Sequence, residues 1–87
     1  MKEKECNAGY EIIERFVAGE LGYVLGVSST APAPFVTWCF RADSPKHYFW
    51  GRYFSTRDKA MENYRERISD ELNFVAERAK TSNEPER

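Results

Sequence analysis

Few residues in this 87-residue chain have the chemistry to act on a substrate. Its single histidine, His47, follows Asp43 by four positions, the minimum needed for an imidazole oriented by a carboxylate to serve as a general acid or base. Cys39 is the thiol that such an imidazole would activate. Both residues have plainer readings. His47 stands just after Asp43, Ser44 and Pro45, where a solvated imidazole at a strand start is expected, and Cys39 lies among Phe35, Trp38 and Phe40, where a thiol is buried and inert. Cys6 and Cys39 are 33 positions apart with no CxxC and no Cys/His cluster, so two free thiols are expected rather than a zinc site or a disulfide. Glu62, Glu66 and Asp70 fall at i, i+4 and i+8, but the interleaved Lys59, Arg65 and Arg67 make that stripe a wetted helix face. No phosphate loop, dinucleotide fingerprint or HExxH zinc motif occurs. No catalytic residue, metal ligand or cofactor is therefore assigned, and the chain is not expected to be an enzyme.

What remains is recognition. Between residues 35 and 54 the chain places Phe35, Trp38, Phe40, Tyr48, Phe49, Trp50, Tyr53 and Phe54. Residues 35–57 carry Arg41, Lys46, Arg52 and Arg57 against Asp43 alone, a local charge of plus three with His47 in addition. The chain as a whole has 13 basic and 14 acidic side chains, a formal charge of −1, which removes the simplest electrostatic case for a polyphosphate partner. Arginine and aromatic side chains are enriched at the energetic centres of protein interfaces. The expected function is thus a small non-catalytic binding domain whose partner-binding residues are Arg41, His47, Trp50, Arg52 and Tyr53, with a protein as partner. The alternative is a nucleic-acid-binding module in which the aromatic and basic face of the sheet meets bases and phosphates. Self-association through an exposed strand edge is a third reading.

The elements that would position these residues follow from hydrophobic period. Tyr10 to Val17 reads as an imperfect strand between Gly9 and Gly19, with a helix capped by Asn7 as the competitor. Leu21 to Ser28 alternates clearly, and residues 19–22 would close a hairpin. Two prolines make Ser28 to Pro34 an extended connector. Phe35 to Ala42 and His47 to Phe54 alternate and should pair as a second hairpin across a turn at Asp43, Ser44 and Pro45. From Arg57 to Ala79 the period becomes helical through Met61, Tyr64, Ile68, Leu72, Val75 and Ala79, with Ser55 or Thr56 as the cap. The expected fold is α+β: an antiparallel sheet of three to four strands in two hairpins, covered on one face by a long C-terminal helix. That helix should lie on Val36, Trp38 and Phe40 or their counterparts across the hairpin. Residues 1–80 form one compact domain in this reading, and residues 81–87 a frayed polar tail. One helix covers one face, so aromatic and basic groups on the other are expected to stay exposed. No apolar run approaches the roughly 20 residues of a membrane span and the start is polar, so a cytoplasmic protein is expected.

Two resemblances accompany these residues. The order YFWGRYF, STRDKAMENYRERI resembles the last strand and helix of AP2-like and integrase-arm DNA-binding domains, which implies a sheet that reads DNA with Arg41, Trp50 and Arg52 at the interface. The longer pattern YEIIERF, YVLGVSSTAPAPFVTW and YFWGRYF followed by a helix looks like small accessory proteins of bacterial phages and conjugative elements. That resemblance implies a cargo or anti-defence role in which the protein binds a host nuclease or regulator, and it carries over no catalytic residue.

Overall fold

The computed structural model describes residues 5–83. Strands β1 (Cys6–Asn7), β2 (Tyr10–Ala18), β3 (Leu21–Val27), β4 (Phe35–Arg41) and β5 (Ser44–Phe54) form one antiparallel sheet in chain order, and α1 (Arg57–Asn83) follows. The α+β class is as the sequence implies, but the sheet is a five-stranded curled meander rather than three to four strands in two hairpins. β1 has no hydrophobic signature. It exists because Ala8 and Gly9, with φ of 53° and 85°, make the left-handed two-residue turn that matches strand twist and sets Asn7 opposite Tyr10. The segment from Tyr10 is strand, paired with β3 from Glu11–Val27 to Ala18–Leu21.

Ser28 to Pro34 folds back on itself as a connector. The Ser28 amide donates to the Pro34 carbonyl at 2.8 Å, and the Ser28 hydroxyl accepts from the amides of Thr30 and Ala31 at 3.2 and 3.1 Å. The β4–β5 turn is tighter than Asp43-Ser44-Pro45 implies, since Ser44 already pairs with Arg41. Pro45 is tolerated there because β5 is an edge strand. Thr56 rather than Ser55 caps α1: its hydroxyl accepts from the Lys59 amide at 3.3 Å. The helical backbone continues to Asn83, past the start of the expected tail, and residues 84–87 lie outside the described residues.

α1 does not lie on Val36, Trp38 and Phe40. It seats on the opposite face, where Ala60 and Tyr64 pack with Tyr23, Leu25 and Cys39, and the Thr37 hydroxyl donates to Asn63 Oδ1 at 2.7 Å. The reason is steric: Thr37, Cys39 and Ala60 are small enough to let a helix approach a sheet, whereas Trp38 and Phe40 are not. Those bulky rings are accommodated by curling the sheet around them. Tyr10, Val24, Val36, Trp38 and Phe40 form a second core, with Val24 and Val36 fully buried although no helix covers them. Glycines supply the room. A Cβ at Gly22 would lie 2.7 Å from ring carbons of Phe40, and one at Gly51 would lie 2.7 Å from Trp38 Nε1.

The mouth of this half-barrel is bridged by Arg15. Its guanidinium sits 4.8 Å over the Phe40 ring, donates to Tyr48 Oη at 2.6 Å and to the Pro45 carbonyl at 3.3 Å, and pairs with Glu5 at 2.5 Å. Tyr48 in turn donates to Glu5. Side chains from β2 and β5, separated by two intervening strands, thus meet across the curled face. Burial opposes ionisation of Glu5, yet the hydrogen bonds from Tyr48 and Arg15 outweigh it and hold the carboxyl below its ordinary value.

The helix-side core carries a pH dependence. Burial, reinforced by nearby acidic groups, pushes the Tyr23 and Tyr64 phenols up to about 12 from an ordinary 10. The fold holds both phenols neutral more strongly than the unfolded chain does. Their contribution to stability is therefore intact below pH ~10 and is lost as pH rises toward ~12. The thermal midpoint is expected to fall steeply across that window, and less steeply in Tyr64→Phe. A midpoint independent of pH there contradicts the burial of these rings.

Candidate functional site

β5 is an edge strand with two irregularities in its pairing to β4. In the second, Trp50 and Gly51 together oppose Trp38, because Thr37 pairs with Arg52 while Cys39 pairs with Phe49. This is a bulge, and the extra residue takes a left-handed backbone: Trp50 has φ of 56°. A bulky L residue is costly there, at about 1–2 kcal/mol. The conformation turns Trp50 off the sheet, with its ring 67% exposed and edge-on to Phe49 at 5.0 Å.

The helix fixes what the bulge presents. Arg67 Nη2 donates to the Trp50 carbonyl at 2.7 Å, and its guanidinium lies 5.9 Å from the centre of the Tyr23 ring. Nη1 of the same group is buried with no hydrogen-bond partner. Burial, and then the neighbouring Arg52, pull the Arg67 pKa below its usual value, although an arginine stays charged at neutral pH. Arg52 is exposed and, being opposite Thr37, stands on the helix side of the sheet. Trp50, Gly51, Arg52 and Arg67 line a cleft of about 370 Å³.

The five residues expected to bind a partner do not share one face. Trp50 and Arg52 meet at this cleft. Tyr53 pairs opposite Val36, so it stands on the curled face, 54% exposed at the mouth of the half-barrel, its ring 6.0 Å from Tyr10. Arg41 is at the far end: it pairs with Asp43 at 3.3 Å and lines a separate hollow with Gly19, Glu20 and Ala42. Along β4, Arg41 is four residues from the Thr37 that pairs with Arg52, roughly 13 Å at the rise of a strand. His47 is exposed within the first irregularity of β5, and its conceivable orienting acid, Asp43, is engaged by Arg41.

Sequence reading missed Arg67, placing it among the wetted charges of the helix. The signal was its spacing from Ala60 and Tyr64, seven and three residues back from position 67, which sets it on the face that meets the sheet. Cys39 is fully buried, and burial pushes its thiol up, away from the thiolate that nucleophilic chemistry requires. Cys6 and Cys39 are both free thiols, one exposed and one buried. Among the described residues no group of three or more His, Cys, Asp or Glu side chains could hold a metal ion, and no helix is long and apolar enough to cross a membrane. Comparison with protein-family models, curated proteins and solved structures finds no match to the chain.

Proposed function

We propose that this protein is a non-catalytic binding module that acts by association with another protein through the helix-side rim of β5. The observation that carries this reading is Trp50. A large aromatic ring held outside both cores, on a backbone conformation that costs energy to maintain, is better accounted for by recognition than by folding. The rim offers a rigid indole beside two arginines, the side-chain types that dominate interface energetics, and it needs no net basicity in the molecule. The resemblance to phage and conjugative-element accessory proteins adds a class of target to this proposal, a host nuclease or regulator in the cytosol.

A second reading draws on the same cleft: an exposed indole with Arg52 and Arg67 can stack a base and hold a phosphate. One experiment separates the two. Tagged protein is used to capture partners from host lysate with and without nuclease, alongside the variants Trp50→Gly and Arg41→Ala. Protein association through the rim predicts capture that survives nuclease, is retained by Arg41→Ala and is lost in Trp50→Gly. Capture abolished by nuclease supports the nucleic-acid module, and capture retained by Trp50→Gly removes the rim from either reading.

A further inference from the structure

The arginines of the molecule are not treated alike by their surroundings. Arg15 is paired with Glu5 and Arg41 with Asp43, but among the described residues no carboxylate lies within 4 Å of Arg52 or Arg67. These two cations line the same cleft. One is held rigidly, through the 2.7 Å bond to the Trp50 carbonyl and the face of Tyr23, with one nitrogen buried and unpartnered. Two like charges brought together where water is partly excluded repel one another, and the arrangement becomes favourable when a counter-charge enters between them. The geometry is therefore prepared for an anion.

The chemistry around the cleft narrows the kind of anion. Trp50 supplies an apolar wall suited to a hydrocarbon stem, and guanidinium forks match the two oxygens of a carboxylate. Exposed Glu66 and Asp70 stand within one helical turn of Arg67, so a polyanion running past the cleft would meet like charge on α1. A single acidic side chain meets less of that repulsion than a polyanion does. We propose that the cleft formed by Trp50, Arg52 and Arg67 receives one carboxylate from an acidic segment of the protein partner, its stem packed on the indole. This rests on the reading of the β5 rim as a protein-binding surface and names the chemistry that surface selects.

The test uses the full-length protein labelled with nitrogen-15, reading the indole N–H of Trp50 and the Nε–H of Arg67. The probes are a blocked hexapeptide of alternating Glu and Ser, its Gln counterpart, inorganic phosphate and an eight-residue oligothymidylate. The Glu peptide is expected to shift both resonances saturably and the Gln peptide to leave them in place. Arg52→Gln should weaken the Glu peptide at least about 5-fold, with a thermal midpoint no lower than that of the parent, because removing Arg52 relieves its repulsion of Arg67. The proposal is overturned if the Gln peptide binds as well, if the Glu peptide gives no saturable shift, or if phosphate or oligothymidylate binds more tightly than the Glu peptide. Because no natural partner is present, the two readings fail separately. Absent peptide shifts with capture lost in Trp50→Gly remove the carboxylate and keep the rim, whereas capture that survives Trp50→Gly removes the rim itself.

Discussion

Gly22→Ala is expected to lose about 3 kcal/mol of stability, with a fall in thermal midpoint of roughly 15 °C for a chain of this size. A methyl group at position 22 would lie 2.7 Å from Cε1 and Cε2 of Phe40, the residue paired with it across β3 and β4. The ring has nowhere to go: it is buried, the Arg15 guanidinium covers it at 4.8 Å, and Tyr48 meets it edge-on with ring centres 5.9 Å apart. Moving the ring would also disturb the group that bridges β2 to β5. Phe40→Leu in the same chain vacates the space and should recover more than half of the loss, a coupling of about 2 kcal/mol in a double-mutant cycle measured by chemical denaturation. Additive losses would mean that ring and glycine do not share one site, and that the sheet is not curled as described.

The second large effect concerns binding rather than folding. Trp50→Gly should leave stability within about 1 kcal/mol of the parent, because relief of the left-handed backbone, worth about 1–2 kcal/mol, offsets both the flexibility glycine adds to the unfolded chain and the lost edge contact with Phe49. Partner affinity should fall by at least about 30-fold, the loss of a central aromatic anchor. Most substitutions that remove a tryptophan cost stability and function together. A loss near 3 kcal/mol on denaturation would mark Trp50 as part of the core, and unchanged affinity would mark its exposure as incidental.

The sequence disclosed periods more readily than registers. The alternation of β3, β4 and β5 and the 3.6-residue period of α1 identify the elements, because side-chain direction within one element depends only on its own neighbours. The seat of α1 was misread because alternation assigns residues to two faces without saying which face a helix will choose. Trp38 and Phe40 look like the better core, and the decision instead lay with small residues: Thr37 and Cys39 admit the helix, while Gly22 and Gly51 make room for rings on the other side. A glycine's effect on a partner strand becomes visible only with the pairing register. The scatter of the five expected site residues has the same cause. The bulge at Trp50 is one extra residue, and it reverses the alternation of β5, so that Tyr48 and Tyr53 share the curled face while Phe49 and Arg52 share the helix side. β1 was illegible because its two polar residues owe their pairing to the Ala8–Gly9 turn.

The central claim is a division between an enclosed aromatic face and a presented rim, and the two tryptophans report on the two sides of it. Trp38 is 5% exposed within the curled face and Trp50 is 67% exposed on β5. Acrylamide quenching of Trp50→Phe, which leaves Trp38 as the only indole, measures the division directly. A blue-shifted emission and a quenching slope several-fold below that of the parent protein are the predicted result. Quenching of Trp38 as efficient as that of a free indole would show the second face open to water and contradict the account.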